Sequence, residues 1–139
     1  MDMNTYLTFN GQCEAAFKFY EQCLGGKIVA MLNHENTPMA ECASGASAEW
    51  QGKIVHARMI LGDKILMGSD APPNSYEQPK GFSVSLLAAD TAEAERVFQA
   101  LAENGTVQMP LQETFWAHRF GMLVDQFGTP WMVNHEKEA

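Results

Sequence analysis

The chain carries one order of elements twice, a strand, an amphipathic helix and then two or three more strands, and this repetition narrows its possible folds more than any other feature. Thr5 to Phe9 reads as a strand. After Asn10-Gly11, apolar residues at Cys13, Ala16, Phe17, Tyr20 and Leu24 follow the i, i+3, i+4, i+7 spacing of a helix with one buried stripe. Gly25-Gly26 stops that helix. Ile28 to Leu32 is a second strand, and Ile54 to Leu61 with Lys64 to Met67 form a hairpin across Gly62-Asp63. Between them, the polar, small-residue stretch from Asn33 to Gly52 is expected to be a long excursion. The second half repeats the order. Phe82 to Leu87 is a strand; Asp90 with Glu93 makes a capping box; Ala94, Val97, Phe98, Leu101 and Ala102 form the stripe; Asn104-Gly105 closes the helix. Val107 to Leu111, the neighbourhood of Trp116 to Asp125, and Pro130 to Asn134 supply the remaining strands.

Single residues echo the pattern: Phe19 and Gly26 recur at the same spacing as Phe98 and Gly105, and Glu14-Ala15 as Glu93-Ala94. The expectation is one α+β domain over residues 1–139, built of two paired βαβββ modules at about 4–69 and 82–135, with a turn-rich linker at 70–81. Each helix can cover only one face of its sheet. The other face must meet the other half or a second chain, and a cavity can form there. Composition agrees: 139 residues suit one domain, and 46% hydrophobic with 19% charged residues provide a core despite eleven Gly and six Pro.

Nine Lys and Arg against seventeen Asp and Glu leave a net charge of −8, which repels phosphate backbones and anionic lipid. No nucleic acid and no membrane are expected as partners. No apolar run approaches the ~20 residues that span a bilayer, and Met1-Asp2-Met3-Asn4 has neither a basic region nor an apolar signal segment, so the expected location is the cytoplasm. Cys13, Cys23 and Cys42 form no C-x-x-C pair and suit a reducing compartment. On one helix Cys13 and Cys23 would lie roughly 15 Å apart, beyond disulfide reach. They read as small core hydrophobes.

Several strings resemble a known family. They are Tyr6-Leu7-Thr8-Phe9-Asn10-Gly11, the helix end Phe19-Tyr20-x-x-x-Leu24-Gly25-Gly26, Gly81-Phe82-Ser83, the run Gln112 to His118 with Phe120-Gly121, and Asp125-x-Phe127-Gly128-x-Pro130-Trp131-Met132. Together they look like the PhnB-like branch of the vicinal-oxygen-chelate superfamily, which also holds glyoxalase I, extradiol dioxygenases and the bleomycin and fosfomycin resistance proteins. The resemblance covers nearly the whole chain and implies paired βαβββ modules and a homodimer. It also brings the branch's label, 3-demethylubiquinone methyltransferase-like. In metal-dependent members, His or Gln on the first strand and Glu on the last strand of each module hold the ion. Carried over, those places fall on Thr5 and Met67 and on Ser83, or a strand neighbour, and Met132. Hydroxyls and thioethers are poor ligands for Zn²⁺, Ni²⁺, Mn²⁺ or Fe²⁺, so the resemblance implies a vestigial metal site and no cofactor. A methyltransferase should show a glycine-rich loop for its cofactor, and no G-x-G occurs in the chain.

The candidate chemistry lies elsewhere. His56 and His118 occupy comparable strands, and strand alternation sets His56, Arg58 and Ile60 opposite Val55, Ala57, Met59 and Leu61. The apolar set should meet the helix, leaving His56 and Arg58 toward a cavity or solvent. His34 and His135 read as surface residues. Gln112 and Glu113 precede Thr114-Phe115-Trp116, and a carboxylate held against aromatics can have its pKa raised toward acid/base use. The plainer reading makes Trp116 core and Glu113 a strand-end cap. Phe9, Met67, Met132 and Asn134 are the expected walls of a pocket, with Asn134 as its polar handle; nine Met are equally usable as core filler.

Two functions stay open. One is a metal-free small-molecule binder stacking its ligand on Trp116, Phe9 and the Met pair. The other is a degenerate or metal-dependent enzyme of the lyase, isomerase or dioxygenase type, with Glu113 or His118 as acid/base, or with His56, His118 and Glu113 as a relocated ligand set.

Overall fold

The computed structural model describes residues 1–33, 52–72 and 74–138. The expected excursion, with His34 and Cys42, lies outside the described residues apart from its ends. The chain divides into two compact units, Met1–Glu77 and Gln78–Ala139. Among the described residues each holds one helix and a four-stranded mixed sheet.

The first unit runs β1 (Thr5–Phe9), α1 (Cys13–Leu24), β2 (Lys27–Asn33), β3 (Ile54–Leu61) and β4 (Lys64–Asp70). The sheet order is β1-β4-β3-β2, parallel between β1 and β4 and antiparallel elsewhere. The helix forms where the apolar spacing predicts and buries Cys13, Ala16, Phe17, Tyr20 and Cys23. Gly25 caps it in the left-handed region at φ 77, its N–H donating to Glu21 O. Beneath lie Leu7, Phe9, Ala57, Met59 and Leu66, all buried. Phe9 meets Phe17 edge-on with ring centroids 6.1 Å apart and lies 6.3 Å from Tyr20. Burying each such ring contributes roughly 2 kcal/mol, so this cluster is a main support of the unit. Gly68 is required by the packing, since a Cβ there would stand 2.9 Å from both Leu7 O and the Phe17 ring.

Asp70, expected to open the linker, is instead the last residue of β4. Its buried carboxylate accepts from Cys13 N at 2.9 Å and Ile54 N at 2.8 Å. It thereby ties the starts of α1 and β3 to the end of β4, satisfying one of the helix's unpaired N-terminal donors. Gln12 at the N-cap makes no side-chain cap bond.

The second unit runs β5 (Val84–Leu87), α2 (Thr91–Ala102), β6 (Thr106–Gln112), β7 (Ala117–Val124) and β8 (Pro130–Glu136), with sheet order β5-β8-β7-β6 and β5 parallel to β8. Asp90 caps α2, accepting from Glu93 N at 2.7 Å. Glu93 closes the box by accepting from Ala89 N rather than from the cap residue. Ala94, Val97, Phe98 and Leu101 are buried, as are Leu123, Trp131 and Val133 below them. Gly121 repeats the role of Gly68: a Cβ would lie 2.6 Å from the Phe98 ring. The motif Asp125-x-Phe127-Gly128-x-Pro130-Trp131 is a turn built around the buried Asp125 carboxylate. Asp125 accepts from Phe127 N (2.8 Å), Thr129 N (3.1 Å) and Trp131 Nε1 (2.8 Å). No helix among the described residues is long and apolar enough to cross a membrane.

Candidate functional site

Side chains alternate across a strand, so residues paired across strands share a face. In the first unit the face away from α1 carries Tyr6, Met67, Arg58 and Ala30 abreast across the four strands. His56 stands on the same face and stacks on Tyr6, with ring centroids 6.1 Å apart and planes at 28°. Arg58 is exposed and His56 and Met67 half-buried, so β3 divides as the alternation predicts.

Two assignments shift by register. Thr5 pairs with Leu66, on the helix side, whereas the partner of Met67 is Tyr6. A one-residue slip moves a strand residue to the opposite face, so Thr5 is not the residue beside Met67. Phe9 shares the helix-side parity with Leu7. It is core against Phe17 and Tyr20 rather than a pocket wall.

In the second unit the helix-free face has two full rows. Ser85, Met132, Met122 and Met109 form one, and Leu87, Asn134, Phe120 and Gln112 the other. Ser83 precedes β5, and the strand neighbour Ser85 is the residue opposite Met132. Trp116 stands edge-to-face with Phe120 at 5.3 Å, and Phe115, 90% exposed, stands against Trp116 at 4.8 Å. A tight turn before β7 holds these rings, with Thr114 N donating to Ala117 O and Ala117 N to Thr114 Oγ1. Trp116 is 40% exposed and so is not core. Sequence reasoning missed Tyr6, Ser85, Met109, Met122 and Phe120 as members of these faces. The available signal was pleat parity with the buried residues Leu7, Phe9, Trp131 and Val133.

Asn134 is only 9% exposed. Its Nδ2 donates to Glu136 Oε1 at 3.0 Å, and its Oδ1 is buried with no hydrogen-bond partner.

His118 and Glu113 fall outside these rows. An irregularity between Ala117 and Arg119 takes His118 out of alternation, and its ring lies 5.1 Å from that of His135. His135 is half-buried, not a plain surface residue, with Nδ1 3.3 Å from Ala88 O. Glu113 is exposed and pairs with Lys137 Nζ at 3.2 Å. The Lys137 hydrogen bond and charge hold its carboxyl below the ordinary value, aided by His118 and Arg119. This reverses the expected rise: the aromatic neighbours in sequence do not enclose Glu113, while a cation reaches it. A carboxylate shifted that way is a weak proton donor at neutral pH.

The residues opposite Met67 and Met132 across the parallel strand pairs are Tyr6 and Ser85. A phenol, a hydroxyl and two thioethers do not fit a divalent ion that takes imidazole and carboxylate. Among the described residues no group of three or more His, Cys, Asp or Glu is placed to hold a metal. A separate depression of about 380 Å³ lies at the start of α1. Its charged groups are already partnered, Lys53 with Gly11 O, Lys18 with Glu14, and Asp70 as above.

Two βαβββ units, each with a helix packed on one face of its sheet, are the architecture of the glyoxalase/bleomycin resistance type of domain. The model of the Glyoxalase/Bleomycin resistance protein/Dioxygenase superfamily matches residues 3–133, and the chain belongs to that superfamily. Within it the chain is PhnB-like. It is 35% identical over 144 residues to the protein YjdN of Escherichia coli, covering 99% of this chain and 97% of that one. The crystal structure of protein PA1353 from Pseudomonas aeruginosa is similar with a TM-score of 0.88 and 49% identity, over 99% of both chains. A PhnB protein from Bacillus cereus, provisionally described as a 3-demethylubiquinone-9 3-methyltransferase, aligns with a TM-score of 0.78 and 25% identity, over 97% of this chain and 99% of that one.

Proposed function

We propose that the protein binds a small organic molecule on its helix-free sheet faces without the superfamily metal. One observation carries this reading: Met67 and Met132 and their cross-strand neighbours Tyr6 and Ser85 are two thioethers, a phenol and a hydroxyl, with Met122, Met109 and Phe120 beside them. Thioethers adapt their shape to a ligand, and Trp116 and Phe120 offer a stacking surface. In metal-dependent enzymes the ion acts as the Lewis acid. Tyr6, Met67, Ser85 and Met132 do not suit such an ion, the cation in these rows is the exposed Arg58, and Glu113 is held as an anion outside them. The methyltransferase description of the Bacillus cereus relative does not transfer. That chemistry needs a glycine-rich cofactor loop in a parallel sheet, whereas both sheets here are mixed and the chain has no G-x-G.

On this reading the protein works as a cytoplasmic homodimer. Support comes from the edge strands β2 and β6, which expose Val29, Leu32 and Val107, apolar edges of the kind a second copy covers. Light scattering should give twice the mass of one chain; the mass of a single chain at micromolar concentration would contradict it.

The binding reading is tested by thermal-shift screening against metabolites and aromatic drugs, followed by a turnover assay on each hit. The expected result is hits that raise the melting temperature, are recovered unchanged and are lost in Trp116→Ala. Turnover that disappears in Glu113→Ala or His118→Ala would favour an enzyme instead.

A further inference from the structure

The helix-free face of the second unit contains an acceptor without a donor. Asn134 pairs with Phe120 on one side and Leu87 on the other, so its side chain stands on the face away from the buried Trp131 and Val133. Its amide orientation is fixed by chemistry. Glu136, as a carboxylate, can only accept, so the group 3.0 Å from Glu136 Oε1 must be the Asn134 NH₂. That leaves Oδ1 as the buried atom with no partner. Native proteins leave few such atoms unpaired, and each calls for a reason. The surroundings supply one. Phe120 is the direct cross-strand neighbour of Asn134, and Trp116 stands edge-to-face with Phe120. Leu87, 70% exposed, flanks the other side, and the thioethers of Met132 and Met122 form the next row. Aromatic rings, Leu87 and thioethers thus flank the unpaired oxygen, the polar members of the rows are Ser85 and Gln112 at their ends, and neither row contains a Lys or Arg.

We propose that this face takes a planar aromatic ligand that moves aside the side chains covering Asn134 Oδ1, its N–H or O–H donating to that oxygen while its ring packs on Trp116 and Phe120. The inference rests on the binding reading above and adds the ligand's class. Such a site favours the ligand that brings a donor over an isostere without one, because only the former pairs the acceptor that the free protein leaves unpaired.

The test uses indole and benzofuran, which share ring size and shape but differ in the N–H. Each is titrated into the ¹⁵N-labelled protein and followed by NMR at the Asn134 side-chain amide and the Trp116 indole N–H. Indole is expected to shift both signals and to bind about tenfold more tightly than benzofuran. In Asn134→Leu the two compounds should bind alike. Equal binding in the wild type, or an indole preference that survives Asn134→Leu, overturns the proposed donor contact and leaves the binding reading standing. If neither compound shifts Trp116 or Asn134, both the contact and ligand binding at this face are refuted. The wild-type comparison needs no variant, so a poorly folding Asn134→Leu does not remove the test.

Discussion

Replacing Asp125 with Ala should destabilise the second unit by about 3–5 kcal/mol. The carboxylate accepts from Phe127 N, Thr129 N and Trp131 Nε1, and both Thr129 and Trp131 are 1% exposed. Water cannot readily take over for either, and an orphaned buried donor costs roughly 1–3 kcal/mol. Two such donors account for most of the loss, and the weakened turn at Phe127 adds to it. Asp125→Asn separates the contributions. Its remaining oxygen can still accept from Phe127 and Thr129, but its NH₂ then faces the Trp131 N–H donor to donor, so about 1–3 kcal/mol should be lost. Urea unfolding followed by circular dichroism measures both, and Trp131→Phe in each background isolates the indole bond as a coupling energy. An Asp125→Ala protein within about 0.5 kcal/mol of wild type would place the motif in the range of ordinary surface substitutions and refute the reasoning. So would an Asn variant as unstable as the Ala variant.

Gly121→Ala should cost about 1–3 kcal/mol by overpacking, since the added carbon would lie 2.6 Å from the Phe98 ring and 3.0 Å from Leu111 Cα; adding Phe98→Leu should recover part of the loss in the same urea assay. The Glu113 carboxyl should titrate below its ordinary value in a ¹³C NMR experiment and move back toward it in Lys137→Ala, with His118 and Arg119 still in place. A depressed folded-state pKa contributes stability above the unfolded-state pKa and loses it as pH falls through the folded-state value, so any Glu113–Lys137 contribution should vanish at the acid end. Burial first, then the charges of Asp70 and Glu14, pushes the Cys13 thiol well above its ordinary range. Iodoacetamide at neutral pH should leave Cys13 unmodified in the native protein and alkylate it in urea, as read by peptide mass spectrometry.

Periodic features were legible because they are local. The stripes of α1 and α2, the Gly25 stop and the Asp90 cap each depend on residues within a few positions and appear with small shifts: Cys23 is buried in place of Leu24, Ala102 is half-buried, and Glu93 accepts from Ala89 N rather than from Asp90 N. Register was less accessible. Choosing Tyr6 over Thr5 depends on which residue pairs with Met67, a contact between β1 and β4 at opposite ends of the unit. The irregularity at His118 breaks the alternation that made it look equivalent to His56. Glu113 misled because its sequence neighbours are aromatic while the group controlling it, Lys137, arrives from beyond β8. The unpaired Asn134 Oδ1 has no signature in one dimension, since an unmade bond is visible only once the neighbours are assembled.

Elemental analysis of the protein purified after metal-supplemented growth tests most directly whether this superfamily member works without its metal. Tyr6, Met67, Ser85 and Met132 offer no imidazole, thiolate or carboxylate to compensate a desolvated dication, so well under a tenth of an equivalent of Zn, Ni, Mn, Fe or Cu is expected. Close to one equivalent, retained through dialysis and lost in Glu113→Ala or His118→Ala, would contradict the metal-free reading and return the balance to an enzyme.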